Sequence, residues 1–115
     1  MSGRIPTDLW VSAILRQENA AGRPVLLLRR GERSGGGLLV KMNLLDRRFL
    51  VLAQQRDLEG RLGFMPGLNG EARAESEVDD YIARALDRDP DLWVVEVESR
   101  SARNPFAEGF ADLDD

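Results

Sequence analysis

The chain has 115 residues, 43% of them hydrophobic, with 16 basic and 20 acidic side chains, a net charge of −4, and neither histidine nor cysteine. That length indicates one domain with enough apolar material for one core, and the missing residue types exclude imidazole acid–base chemistry, thiol nucleophiles, disulfides and the usual soft-metal ligands. No apolar run approaches the roughly 20 residues that span a bilayer, and Met1 to Thr7 has one arginine and no apolar core, so a cytoplasmic protein is expected.

Thr7 to Gly22 reads as the first helix, with Thr7 as its cap, Asp8 at the positive end of its dipole and Gly22 as its stop. Trp10, Val11, Ile14 and Leu15 share one face, while Arg16, Gln17 and Glu18 are expected in solvent. Four strands follow: Val25 to Arg30, Leu38 to Asn43, Arg48 to Gln54 and Arg61 to Met65. Local turns predict an antiparallel meander, with Gly31 to Gly37 as a mobile hairpin tip. Leu68 to Ala74 reads as a loop. Ser76 to Arg88 is the second helix, with Val78, Tyr81, Ile82, Ala85 and Leu86 at helical spacing and Ser76 with Asp79 as an approximate capping box. Pro90 ends it. Leu92 to Glu98 is the last strand, where Trp93, Val95 and Val97 alternate with Glu96 and Glu98 and predict one buried and one wet face.

The expected fold is α+β: an antiparallel sheet of about five strands with two helices on one face, in the order helix-strand-strand-strand-strand-helix-strand. Residues 1–98 form the domain and 99–115 an acidic C-terminal tail. Phe106, Phe110 and Leu113 form a helical stripe in that tail, which folds back on the core, docks on a partner or stays disordered.

Thr7-Asp8-Leu9-Trp10-Val11 opens the chain and Asp89-Pro90-Asp91-Leu92-Trp93-Val94-Val95-Glu96-Val97-Glu98 closes the core. Between them lie Leu39-Val40-Lys41-Met42-Asn43 and Asp80-Tyr81-Ile82. Together these segments resemble the alphaproteobacterial family known as domain of unknown function 1491, over roughly residues 7 to 100. The resemblance implies a small bacterial cytosolic protein. It carries no activity, substrate, cofactor or functional residue across.

The charge is divided. Residues 1–66 hold eleven basic and six acidic side chains, net +5, and residues 67–115 hold five and fourteen, net −9. Arg29, Arg30, Arg33, Arg47 and Arg48 are a candidate basic patch for phosphate backbones, although only Phe49 and Phe64 are available for stacking and the pI near 4.9 opposes nucleic acid. Gly31 and Gly36 have P-loop spacing, but Gly37 and Leu38 stand where lysine and a hydroxyl residue belong, and no helix N-terminus follows. Asp87, Asp89 and Asp91 lack the glycine of a calcium loop. None of the six serines sits in a nucleophile elbow, and no histidine is present to activate one.

Three functions fit these residues. The leading one is a non-enzymatic protein-binding or adaptor module, its partner a protein or a second copy in a homodimer, with Phe106, Phe110 and Leu113 as a candidate docking segment. The alternative is a nucleic-acid-binding domain using the arginine-bearing strands. The last is a carboxylate-based hydrolase or transferase, which would require a deep pocket with at least two convergent acids. No catalytic residue, cofactor or metal ligand is assigned.

Overall fold

A computed structural model of the chain describes residues 5–107. The elements run α1 (Thr7–Ala20), β1 (Val25–Arg29), β2 (Leu38–Asn43), β3 (Phe49–Arg56), β4 (Leu62–Pro66), a 3-10 turn (Leu68–Gly70), α2 (Glu75–Arg88) and β5 (Trp93–Glu98). Element identity and order agree with the sequence reading. The α+β class and the five strands do as well.

Sheet order does not follow the meander. The strands lie β1-β5-β2-β3-β4, and β5 inserts between β1 and β2. It pairs antiparallel with β1 and parallel with β2, in register from Leu38↔Trp93 to Asn43↔Glu98. The glycine-rich link between β1 and β2 is therefore no hairpin. The physical reason lies in the runs Leu38-Leu39-Val40 and Trp93-Val94-Val95. Unbroken apolar runs belong to strands covered on both faces, which are central strands.

Both faces are covered, so the expectation that the two helices share one face is corrected. Trp10 and Val11 of α1 pack with Val25, Leu38, Val40, Met42, Trp93, Val95, Val97 and Phe106. Val78, Ile82 and Ala85 of α2 pack on the other side with Leu39, Phe49, Val51 and Val94. Alternate residues of β2 and β5 thus feed two separate cores. The face of β5 expected to be wet carries buried Val94 and a Glu96 carboxylate only 14% exposed.

The helix caps also differ from expectation. Pro6 precedes α1, and the Thr7 hydroxyl donates to the Gly36 carbonyl at 3.0 Å instead of capping. Ala74 precedes α2 and its methyl side chain cannot cap, while Asp79 accepts a hydrogen bond from Lys41.

Residues 31–37 form a bonded wrap around the turn before β5 and are not the tip of a hairpin. Glu32 N–H donates to Asp91 O at 2.9 Å, Trp93 Nε1 donates to Glu32 O at 2.7 Å, and Asp8 N–H donates to Arg33 O at 2.9 Å. The Glu32 carboxylate accepts from the backbone of Gly35 and Ser34, and the Gly35 bond leads in holding its carboxyl below the usual range. Two glycines are required here. A Cβ on Gly31 would strike the Asp91 carbonyl and come within 2.6 Å of Trp93 Cδ1, and one on Gly36 would strike the same carbonyl. A Cβ on Gly35 would rest 3.6 Å from Glu32 Oε1, an ordinary contact. Gly31→Ala is therefore expected to lower stability by about 1–3 kcal/mol, whereas Gly35→Ala leaves it within about 0.5 kcal/mol. Chemical denaturation of the two variants measures the contrast.

Candidate functional site

Two charged centres and one exposed strand stand out among the described residues. The first centre lies on the α2 face. Lys41, the sole lysine, sits at an inward position of β2 and is 5% exposed. Its Nζ donates to Glu75 Oε2 and Asp79 Oδ1, each at 2.7 Å, and lies 3.8 Å from Glu96 Oε1. The same ammonium stands 5.2 Å from the Phe49 ring centroid, a cation–π distance. Asn43 Nδ2 donates to Glu96 at 3.3 Å and steadies the third acid.

Burial by itself disfavours the Lys41 charge. The hydrogen bonds it donates to Asp79 and Glu75 outweigh it and hold the amine above its usual value. A nucleophilic or basic lysine needs the neutral amine, so this one is a structural cation. Convergent acids do exist, and a lysine neutralises part of their charge. The stability Lys41 contributes is fully present below its ordinary value of 10.5 and is lost as pH rises through the elevated folded value. Lys41→Met is expected to destabilise by about 1–3 kcal/mol at neutral pH, since Glu75 and Asp79 are half-exposed and water screens what remains. Thermal melts of the two chains at neutral pH check it.

The second centre lies on the α1 side, and the sequence reading missed it. Glu18 was expected in solvent and is 1% exposed. Arg23 donates Nε to Oε1 at 2.9 Å and Nη2 to Oε2 at 3.4 Å. Arg103 donates Nη1 to Oε1 at 2.8 Å and Nη2 to Oε2 at 3.4 Å. Hydrogen bonds from Arg103 and then Arg23 overcome burial and lower the Glu18 pKa to about 2. The available signal was spacing: Glu18 stands seven residues after Val11 and four after Ile14, on the apolar stripe.

The five arginines of the candidate patch do not come together. Arg29 pairs with Val94 near the start of β5, and its Nη1 donates to the carbonyls of Pro90 and Leu92. Arg30 stacks over Trp93 at 5.4 Å, and Arg33 lies 3.5 Å from Asp8. Arg47 and Arg48 occupy the turn after Asn43, at the other end of β2, about four strand residues or 13 Å further along. Arg48 is held by Asp46 at 2.6 Å, and each shifts its partner's pKa toward the charged form. Of the candidate tail residues, Phe106 is fully buried and meets Trp10 edge-to-face at 5.6 Å. Phe110 and Leu113 lie outside the described residues.

The exposed strand is β1, an outer strand with a bulge between Leu27 and Arg29. Leu26, Leu27 and Leu28 are all exposed. Among the described residues no His, Cys, Asp or Glu cluster is arranged to hold a metal ion, and no helix is long and apolar enough to cross a membrane.

A mixed five-stranded sheet with a helix on each face, and with its buried charges tied in ion pairs, defines a small three-layer α+β domain. The chain belongs to the DUF1491 family, described as a protein of unknown function, whose sequence model matches residues 5–107. A crystal structure of a DUF1491 family protein from Caulobacter crescentus is 30% identical, with a TM-score of 0.76 over 89% of this chain and 94% of that one. A solution structure of a protein from A. tumefaciens is 26% identical, with a TM-score of 0.69 over 84% and 86%. Among curated proteins no relative matches.

Proposed function

We propose that this protein is a non-enzymatic, cytoplasmic protein-binding module that takes its partner along the outer strand β1. One observation carries the reading: Leu26, Leu27 and Leu28, consecutive on that edge, are 54%, 37% and 47% exposed. Contiguous apolar exposure on a free sheet edge favours association. The backbone supports the same position. Glu98 N–H donates to Pro24 O across the β1–β5 ladder, which turns the polar groups of Val25 and Leu27 outward. Asn19 closes those of Val25, accepting from its N–H at 3.1 Å and donating to its carbonyl at 3.0 Å. Leu27 then marks where an added strand bonds.

So short an edge buries far less than the roughly 800 Å² per partner of a standard interface, which suits a transient contact. A second copy of the chain is the simplest such partner. The absence of cysteine suits a reducing cytoplasm. The double variant Leu26→Asn/Leu28→Asn, at positions already half in water, should keep stability within about 1 kcal/mol. It should also lose a protein that the wild-type chain recovers from its native cell, or lose self-association in sedimentation. Identical recovery and identical sedimentation by both chains would contradict the reading.

A further inference from the structure

A cleft of about 230 Å³ opens where α1 ends and β5 leaves the sheet, bounded by residues 18–25 and 97–103. Glu18 lies in its wall, and the two arginines it holds line it. Their side chains are 50% and 34% exposed, so a solute can reach guanidinium groups whose positions a buried carboxylate already fixes. Glu18 engages Nε and Nη2 of Arg23, and Nη1 lies outside that pair. The hydroxyls of Ser99 and Ser101 stand 3.4 Å apart on the same lining, and Ser99 Oγ accepts from Arg103 N–H at 2.9 Å. Fixed guanidinium groups with neighbouring hydroxyls match an oxyanion in geometry and charge.

Glu98 also lines the cleft, and no ion pair engages it among the described residues. Its carboxylate repels a fully deprotonated anion but accepts a hydrogen bond from one that keeps a proton. We infer that this cleft binds a small oxyanion carrying its own hydroxyl donor, the class of monoanionic phosphate: oxygens toward Arg23 and Arg103, hydroxyl toward Glu98. The inference stands apart from the β1 reading, since it uses neither the leucines nor the sheet edge.

The test is an NMR titration of the full chain at about pH 6, where a phosphate ester has its second ionisation. Inorganic phosphate, glycerol phosphate and sulfate are compared at constant ionic strength. Saturable shifts confined to residues 18–25 and 97–103 are expected with phosphate. Sulfate, which has no proton for Glu98, should bind about tenfold more weakly, the effect of one hydrogen bond to a charged group. Tighter binding of glycerol phosphate identifies a phosphate ester as the natural source, and tighter binding of inorganic phosphate identifies the free ion. Arg23→Gln should weaken phosphate about tenfold, with Arg23→Lys as the charge-retaining control, and Glu98→Gln should close the gap between phosphate and sulfate. Three results overturn the inference: no saturable shift with any of the anions, shifts spread equally over Arg47 and Arg48, or sulfate equal to phosphate.

Discussion

Phe106→Ala should unfold the domain about 3–5 kcal/mol more easily than the wild-type chain, the range for truncating a fully buried aromatic side chain. Phe106 has no exposed surface, lies in the α1-side core with Trp93 and Met42, and presents its ring edge-to-face to Trp10. Such an aromatic pair adds about 0.5–1.5 kcal/mol to the area it buries. The residue comes from a stretch with the composition of a solvated tail, so the size of the effect separates two pictures. If residues 99–107 were dispensable, the substitution would shift the denaturation midpoint by no more than an ordinary surface change. As a core residue, Phe106 should rank with the most damaging single truncations in the chain, and removal of residues 99–115 should cost at least as much.

Glu18→Gln is the second large effect, and its pH dependence is its signature. A carboxylate depressed from 4.5 to about 2 in the folded state binds its proton more weakly there than in the unfolded chain. The stability it supplies is therefore fully present above pH 4.5 and is lost as pH falls through 2. A shift of this size corresponds to about 3 kcal/mol, comparable with the cost of breaking a buried ion pair. Near neutral pH the melting temperature of the variant should fall by roughly 10–15 °C. As pH drops below 4.5, the wild-type curve should descend toward the variant's. The Arg103 bond spans 85 residues of sequence. The same substitution should therefore also speed amide exchange around Ser99 and Ala102, whose turn the clamp fixes.

Much of the architecture was legible because it is local. The stripe of Val78, Ile82 and Ala85 placed α2, and the alternation of Trp93, Val95 and Val97 with Glu96 placed β5 and set Glu96 on the opposite side from the three apolar residues, although that side is covered by α2 and not wet. Sheet order was not legible, because the pairing of Leu38 with Trp93 is a long-range event that no turn between them encodes. The unbroken run at Leu38-Leu39-Val40 hinted at a doubly buried strand, yet a local hairpin through seven glycine-rich residues was the simpler reading. Glu18 and Lys41 were obscured for a different reason. A charged residue is assigned to solvent by type, and only its partners reveal otherwise. Those partners sit at Arg103, Glu75 and Asp79, on elements far away in sequence. The arginines differ again, since Arg33 and Arg47 are close in sequence while β2 lies between them and leaves them beyond its opposite ends.

The central functional claim is that β1 is where another protein binds, and site-specific photo-crosslinking in the native cell tests it most directly. A photoreactive residue at Leu26 is compared with one at Leu58, which is fully exposed in the turn between β3 and β4, remote from that edge. A discrete crosslinked species is expected from position 26, a dimer or a complex with one other protein, and none from position 58. Equal products from both positions, or none from position 26, would contradict it.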